Sequence, residues 1–234
     1  MNPAPASVLD LWEAGLPRTP AARALLLLEA AGETEAGGWT VGRSHLALLG
    51  TYCGTGRGLE ALADCPACGA VLDVAVDPGA LAGGGADSVT VADGEYAVTA
   101  RPPTMGDLEA LSPTDDVESL RRQLLARSVV EATIAGEAVP ADELPSHVVD
   151  RVEAALDQAD PAADLQLALA CPECEATWSD SLDPLLFAWS AVEGAARRLA
   201  TDVHTLAHAY GWSEGEILAL SPFRRHLYLS AVQS

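Results

Sequence analysis

The sequence predicts an α+β protein in which a β platform lies between helical segments at the two ends of the chain. Three observations favour this fold. Apolar residues recur at helical spacing in the first 63 residues and again from residue 182, short β-type runs follow residue 68, and two Cys-Pro-x-Cys motifs border the β-type region. The predicted segments are therefore N-terminal helices (1–63), a β platform (64–181) with a helical insertion (about 104–158), and C-terminal helices (182–234).

The N-terminal segment has interrupted helical patterns. Leu9, Leu11 and Trp12 begin the first, which continues through the apolar run 21–28 after two prolines. A second helix is predicted from 44 to about 53, and residues 59–62 (Leu-Glu-Ala-Leu) are interpreted as one more helical turn. Cys53 lies on an apolar helical stretch and is predicted to be a small buried residue.

The central segment contains both helical and strand-like spacings of apolar residues. Asp93-Gly94 between two β-type runs is a hairpin signal, and Thr104 with Asp107 has the spacing of a capping box. The predicted strands are 71–76, 89–91, 96–98, 165–169 and 176–179, and the predicted helices of the insertion are 117–130 and 148–156.

The C-terminal segment has the most regular pattern. Asp183-Pro184 suits the start of a helix, and apolar residues then recur at steps of three and four as far as Tyr210. Gly211 suits the position after the helix, and Ser213 with Glu216 forms a capping box for a short helix. Ser221-Pro222 opens a final helix.

Four cysteines carry the clearest chemical signal. Cys65-Pro66-Ala67-Cys68 and Cys171-Pro172-Glu173-Cys174 are two Cys-x-x-Cys knuckles, and two such turns can supply the four ligands of a closed tetrahedral site. Each knuckle is flanked by strand-like residues, so we predict a zinc-ribbon-like platform with a structural Zn²⁺ held by Cys65, Cys68, Cys171 and Cys174. Two alternatives remain open: dithiols that cycle with disulfides, and cysteines that hold no metal.

The two knuckles are neither identical nor adjacent. Gly69 follows the first and suits a positive φ, whereas Glu175 stands at the equivalent place in the second. The 102 residues between Cys68 and Cys171 are long for a simple ribbon, which is why an insertion is predicted.

Composition disfavours several function classes. The net charge is −21 and all 13 basic residues are arginines, so sequence-independent binding of nucleic acid or of an anionic membrane is not expected. We find no apolar run of about 18 residues and no cationic segment ahead of an apolar one, so a cytoplasmic protein is expected. A nucleophile elbow is absent, and His204 and His208 lack the Glu and the third ligand of a zincin site. The chain is therefore predicted not to be an enzyme and to have no small-molecule substrate.

Charge is distributed unevenly along the chain. From Leu182 onward four arginines face five acids, a net charge of −1, while the preceding 181 residues carry −20. Arginine and aromatic residues are enriched at protein interfaces. The predicted partner-binding residues are Arg197, Arg198, Trp212, Arg224, Arg225 and Tyr228. The alternative is that these arginines pair with the acidic body of the same chain.

The C-terminal residues resemble the T-even-phage-type baseplate hub assembly chaperones and baseplate proteins of contractile, phage-tail-like injection systems. The resemblance is carried by 189–193, Arg197-Arg198-Leu199, 202–214, 216–222, Arg224-Arg225 and Tyr228-Leu229, and extends to 11–15, both cysteine knuckles, 101–104 and Asp107-Leu108. Glu175 in place of glycine, and Gly194 and Gly215 within helices, depart from the pattern.

The resemblance implies a non-enzymatic structural or assembly protein of the baseplate, acting in the bacterial cytoplasm. Its expected partners are baseplate hub, spike or wedge proteins, and incorporation into the injection particle is left open. The competing interpretations are a zinc-ribbon nucleic-acid-binding or transcription factor, which the charge opposes, and a thiol oxidoreductase.

Overall fold

A computed structural model describes residues 5–52, 59–76, 81, 85–112 and 116–232. Helices account for 56% of the residues and strands for 20%, which confirms the predicted mixture of helix and sheet. The helices are α1 (Pro5–Gly15), α2 (Pro20–Ala30), α3 (Val41–Tyr52), α4 (Met105–Glu109), α5 (Val117–Ser128), α6 (Ser146–Ala159), α7 (Pro184–Tyr210), α8 (Glu214–Leu218) and α9 (Pro222–Val232). The strands are β1 (Leu59–Asp64), β2 (Val71–Val76), β3 (Val89–Asp93), β4 (Tyr96–Ala100), β5 (Val129–Ile134), β6 (Glu137–Ala138), β7 (Leu165–Ala170) and β8 (Thr177–Leu182).

Helices from the two ends of the chain share one core. Leu27, Leu28 and Leu48 are fully buried and pack with Trp189 of α7. Arg23 of α2 connects the end of α1 to α7. Its side chain donates hydrogen bonds to the carbonyl oxygens of Gly15 and Leu16, and its guanidinium lies 4.8 Å from the centre of the Trp189 ring. The N-terminal helices and α7 therefore form one packed unit.

A second core lies under a four-stranded antiparallel sheet of order β3-β4-β5-β6. Val98 of β4 packs against Val148 and Val152 of α6, all fully buried. The predicted Asp93-Gly94 hairpin is confirmed, with Asp93 paired to Tyr96. The predicted helical insertion over about 104–158 contains α4, α5 and α6, but it also contains β5 and β6, which the sequence did not predict, because the chain leaves α5 at Val129. The β-branched residues in 129–134 favour that change of period.

Two further hairpins form separate two-stranded sheets, β1-β2 and β7-β8. We call them arm 1 (59–76) and arm 2 (165–182). The interpretation of 59–62 as a helical turn is wrong: these residues lie in β1, where Leu59 pairs with Val76 and Leu62 with Asp73. Pairing with β2 overrides the helical preference of the Leu-Glu-Ala-Leu sequence. Cys53 lies outside the described residues.

The C-terminal helices start and end as predicted. Asp183 accepts hydrogen bonds from the first backbone N–H groups of α7, and Gly211 ends that helix with a φ of 69°. The capping box of Ser213 and Glu216 starts α8, and that of Thr104 and Asp107 starts α4. None of the helices in the described part of the chain is long and apolar enough to cross a membrane.

Candidate metal centre

The four cysteines of the two knuckles meet at the tips of the two arms. Their Sγ atoms all lie within 4.8 Å of one another. The sulfur of Cys65 lies 3.7 Å from that of Cys174, and the sulfur of Cys68 lies 3.7 Å from that of Cys171. Residues far apart in sequence therefore form a four-sulfur group that one metal ion could contact.

The two arms have the same local design. Each consists of a six-residue strand, a six-residue turn that contains the knuckle, and a second six-residue strand. In arm 1, the Cys65 N–H donates to Ala70 and the Gly69 N–H donates to Cys65. Arm 2 repeats both hydrogen bonds, from Cys171 to Ala176 and from Glu175 to Cys171. Each turn thereby presents its two sulfurs in the same way.

The residue after each knuckle adopts a left-handed backbone conformation. Gly69 has a φ of 73° and Glu175 a φ of 59°. Glycine adopts this conformation without a steric penalty, whereas glutamate does not. The difference between the knuckles that the sequence indicates is thus a difference in backbone strain at equivalent positions.

Apolar burial holds β2, β7 and β8 at their bases, while in β1 Ala63, near the tip, is buried. In β2, β7 and β8 the only buried residue is the one at the base, namely Val76, Leu165 and Leu182. These three pack with Leu49 of α3 in a third core cluster. The middle of each of these strands is exposed or half-buried.

Burial returns at the tips of the arms. Cys65 and Cys171 are each only 2% exposed, whereas Cys68 and Cys174 are exposed. The sulfur cluster therefore supplies a contact at the end of each arm that is farthest from the apolar core.

The thiols influence one another's ionisation. Burial raises the pKa of Cys65. Hydrogen bonds from the backbone of Cys68 and Ala67 and from the Cys68 and Cys174 thiols outweigh burial and lower the pKa to about 7. The pKa of Cys68 is raised to about 12: a backbone hydrogen bond lowers it, but the neighbouring thiols and burial together raise it more. The pKa of Cys174 is also raised, because burial and its contacts with the Cys65 and Cys171 thiols outweigh the hydrogen bonds that lower it. The raised pKa values of Cys68 and Cys174 disfavour their thiolate forms, and a bound metal ion would supply the positive charge that thiolate ligands need.

The histidine pair forms no comparable cluster. The rings of His204 and His208 lie nearly parallel on α7, with centroids 6.4 Å apart, and both are exposed. Within the described ranges, the four cysteines are the only group of three or more potential metal-binding side chains that comes together.

A cavity of 460 Å³ near α4 and the start of α7 is lined mainly by apolar residues. His45 lines it, and its Nδ1 lies 3.1 Å from the Ala162 carbonyl oxygen, so this nitrogen donates the hydrogen bond. Burial lowers the pKa of His45 by more than the Ala162 hydrogen bond and the nearby Asp183 and Asp160 raise it, so the pKa lies below its ordinary value of 6.5. Asp183 also lines the cavity, but its carboxylate caps α7.

The predicted partner-binding arginines have different environments. Arg197 pairs with Glu193 on the same helix, and Arg225 pairs with Asp202 at 3.2 Å with only 12% of its side chain exposed. Arg198 and Arg224 are exposed, and neither has an ion pair with a described residue. Arg197 and Arg225 are thus paired within the chain, but their partners Glu193 and Asp202 belong to α7 of the same C-terminal segment and not to the acidic body.

The two predicted aromatic residues belong to a cluster with Tyr210. Trp212 stacks on Tyr210 with centroids 4.7 Å apart, and Tyr228 of α9 meets the Trp212 ring edge-on at 5.0 Å. We call these three residues the aromatic cluster. It packs α9 against the end of α7.

No protein-family model, curated protein or solved structure matches this chain. The resemblance to baseplate proteins therefore stays a prediction.

Proposed function

We propose that this chain is a non-enzymatic structural or assembly protein in which a Zn²⁺ ion bound by Cys65, Cys68, Cys171 and Cys174 joins the two arms. The observation that carries the proposal is the convergence of four sulfurs at the tips of hairpins that are buried mainly at their bases. An ion at this place would do what apolar packing does elsewhere in the fold.

The sulfur geometry supports zinc. Zn–S bonds are about 2.3 Å long, so a regular ZnS₄ tetrahedron has sulfur–sulfur edges of about 3.8 Å. Two of the six Sγ–Sγ distances are 3.7 Å and agree with such an edge, and none of the six exceeds 4.8 Å. They are much longer than the roughly 2.05 Å of a disulfide bond.

A structural role follows from the number of ligands. Four thiolates fill a tetrahedral zinc ion and leave no position for water or substrate. Such a site stabilises the folded state by an amount on the order of 10 kcal/mol, because the ligands come together only in that state. The ion would thus support the fold without taking part in a reaction.

The system in which the protein acts is proposed from the resemblance of its C-terminal residues. We assign the chain to the baseplate of a phage-tail-like contractile injection system, with hub, spike or wedge proteins as partners. The exposed positions of Arg198 and Arg224 are compatible with this role. A zinc-ribbon nucleic-acid-binding protein is the alternative, and the net charge of −21 argues against it.

The experiment is co-purification of the full-length chain with the hub, spike and wedge proteins of one injection system, followed by nuclease treatment of each complex. The proposal expects a nuclease-resistant complex with at least one of these proteins. Recovery of RNA or DNA alone, with binding that weakens steeply as salt rises, would contradict the proposal and favour the nucleic-acid alternative.

A further inference from the structure

The last helix carries an exposed apolar edge. Phe223 and Leu227 are separated by one helical turn and lie on the same side of α9, with 77% and 56% of their surface exposed. Of the described residues of α9, none is buried. An apolar pair of this kind on a helix at the molecular surface is typical of an interaction site.

The orientation of α9 is fixed by its other side. Tyr228 packs into the aromatic cluster, and the Arg225 guanidinium, largely buried, pairs with Asp202 of α7. Because these contacts hold the helix against α7, rotation to bury Phe223 and Leu227 would break them. The apolar edge therefore faces outward in the folded chain.

The charge of this edge is opposite in sign to that of the chain as a whole. The helix α9 contains two arginines and no acidic residue, in a chain of net charge −21. Arg225 is used internally, but Arg224, which follows Phe223 in the sequence, is exposed and no described carboxylate pairs with it. The exposed edge is thus apolar and cationic.

We propose that Phe223, Leu227 and Arg224 form a docking edge for a partner protein that presents an apolar groove bordered by carboxylates. This inference rests on the proposed function and names the chemistry of the partner's surface. The groove would bury the two apolar side chains at i and i+4, and its carboxylates would pair with Arg224. Trp212, Tyr228 and Arg225 then hold the helix in place instead of contacting the partner.

A second copy of the chain fits this edge less well. A symmetric contact between two α9 helices would place one Arg224 near the other and would leave both without a carboxylate partner. We therefore commit to a different protein as the occupant of the edge.

The test is a titration of the purified full-length chain against purified hub, spike and wedge proteins, one at a time. For the partner that binds, the double variant Phe223→Ala/Leu227→Ala should raise the Kd at least tenfold. The variant Arg224→Glu should also raise the Kd, by a larger factor at low salt than at high salt. Leu186→Ala is the matched control, because Leu186 of α7 is 59% exposed, and its Kd should stay within twofold of the wild-type value.

The outcomes separate this inference from the function on which it rests. If the wild-type chain binds none of the three proteins, the proposed function fails and the docking edge fails with it. If the wild-type chain binds and the double variant binds equally well, the docking edge is wrong while the proposed function stands. Sedimentation that shows a wild-type dimer absent from the double variant would identify a second copy as the occupant and overturn the acidic groove.

Discussion

The four cysteines and the residue that follows each knuckle determine the chemistry of the proposed metal centre. The identity and spacing of the cysteines were enough to predict that the two knuckles meet, because few structures other than a shared metal site use two such motifs. The sequence also indicated the departure at Glu175, whose φ of 59° places a non-glycine residue in the left-handed region. Which sulfurs are buried could not be predicted, because that depends on how the two arms approach each other.

Glu175→Gly should stabilise the protein by about 1 kcal/mol, because glycine has no Cβ to disfavour the left-handed conformation. Urea denaturation of the metal-bound protein measures the free energy of unfolding. The converse substitution, Gly69→Ala, should lower it by a similar amount. A less stable Glu175→Gly variant would show that the glutamate side chain makes a stabilising contact that outweighs the strain.

Cys171→Ser should lower the free energy of unfolding by about 3 kcal/mol or more, since it removes a ligand that joins two remote segments. Thermal unfolding followed by circular dichroism would measure the loss, and the bound metal should fall in parallel. Glu173→Ala is the control, because Glu173 is exposed within the same knuckle. Equal effects of the two substitutions would argue against a role for the sulfur itself.

His45 should make stability depend on pH below its ordinary pKa of 6.5. Because burial lowers the pKa of His45 in the folded state, the unfolded chain takes up the proton first as the pH falls. The contribution of His45 is therefore fully present above pH 6.5 and is lost as the pH falls toward the folded-state pKa. Between pH 7.5 and 5.5, His45→Gln should lose less stability than the wild type.

The control for this experiment is His226→Gln on α9, where the histidine is exposed. Its pH dependence should match that of the wild type. The idea would be wrong if His45→Gln and the wild type lost equal stability over this range.

At the scale of elements, short-range sequence signals predicted helix starts and the hairpin correctly, whereas strands that form by pairing with a remote segment were mispredicted. The two capping boxes and the Asp93-Gly94 hairpin were predicted because their hydrogen bonds join residues three or fewer positions apart. Residues 59–62 were assigned to a helix because their strand partner, β2, is identified only by pairing. The strand β5 was missed because Val129 and Val130 directly continue the helical pattern of α5.

The attachment of α9 should depend on Arg225 and not on Arg224. Arg225→Ala removes the ion pair with Asp202 and should destabilise the attachment of α9 to α7 by about 1 kcal/mol. The loss is this small because the buried Nη1 of Arg225 lacks a hydrogen-bond partner in the described structure, and the cost of burying it is relieved in the variant. Amide hydrogen exchange in α9 should then become about fivefold faster.

The neighbouring variant Arg224→Ala provides the control because this side chain is exposed. It should change the exchange rates of α9 little. Similar acceleration in both variants would mean that the helix is held by the overall charge of α9 and not by the Arg225–Asp202 pair.

At the scale of the whole molecule, the described chain contains three core clusters and one sulfur cluster. Apolar burial accounts for the helical core, the four-stranded sheet and the bases of the arms. It accounts poorly for the arm tips, which the knuckles bring together. The sequence predicted a single β platform, whereas the arms and the four-stranded sheet are separate sheets, because sheet membership depends on which strand edges meet.

The most direct test of this account is native mass spectrometry of the purified full-length chain, combined with titration of its accessible thiols. We predict one zinc ion per chain and no reaction at Cys65, Cys68, Cys171 and Cys174 until a chelator or denaturant removes the metal. A folded, metal-free chain in which these four thiols react freely, or are joined in disulfide bonds, would contradict the proposal that one ion holds the two arms together.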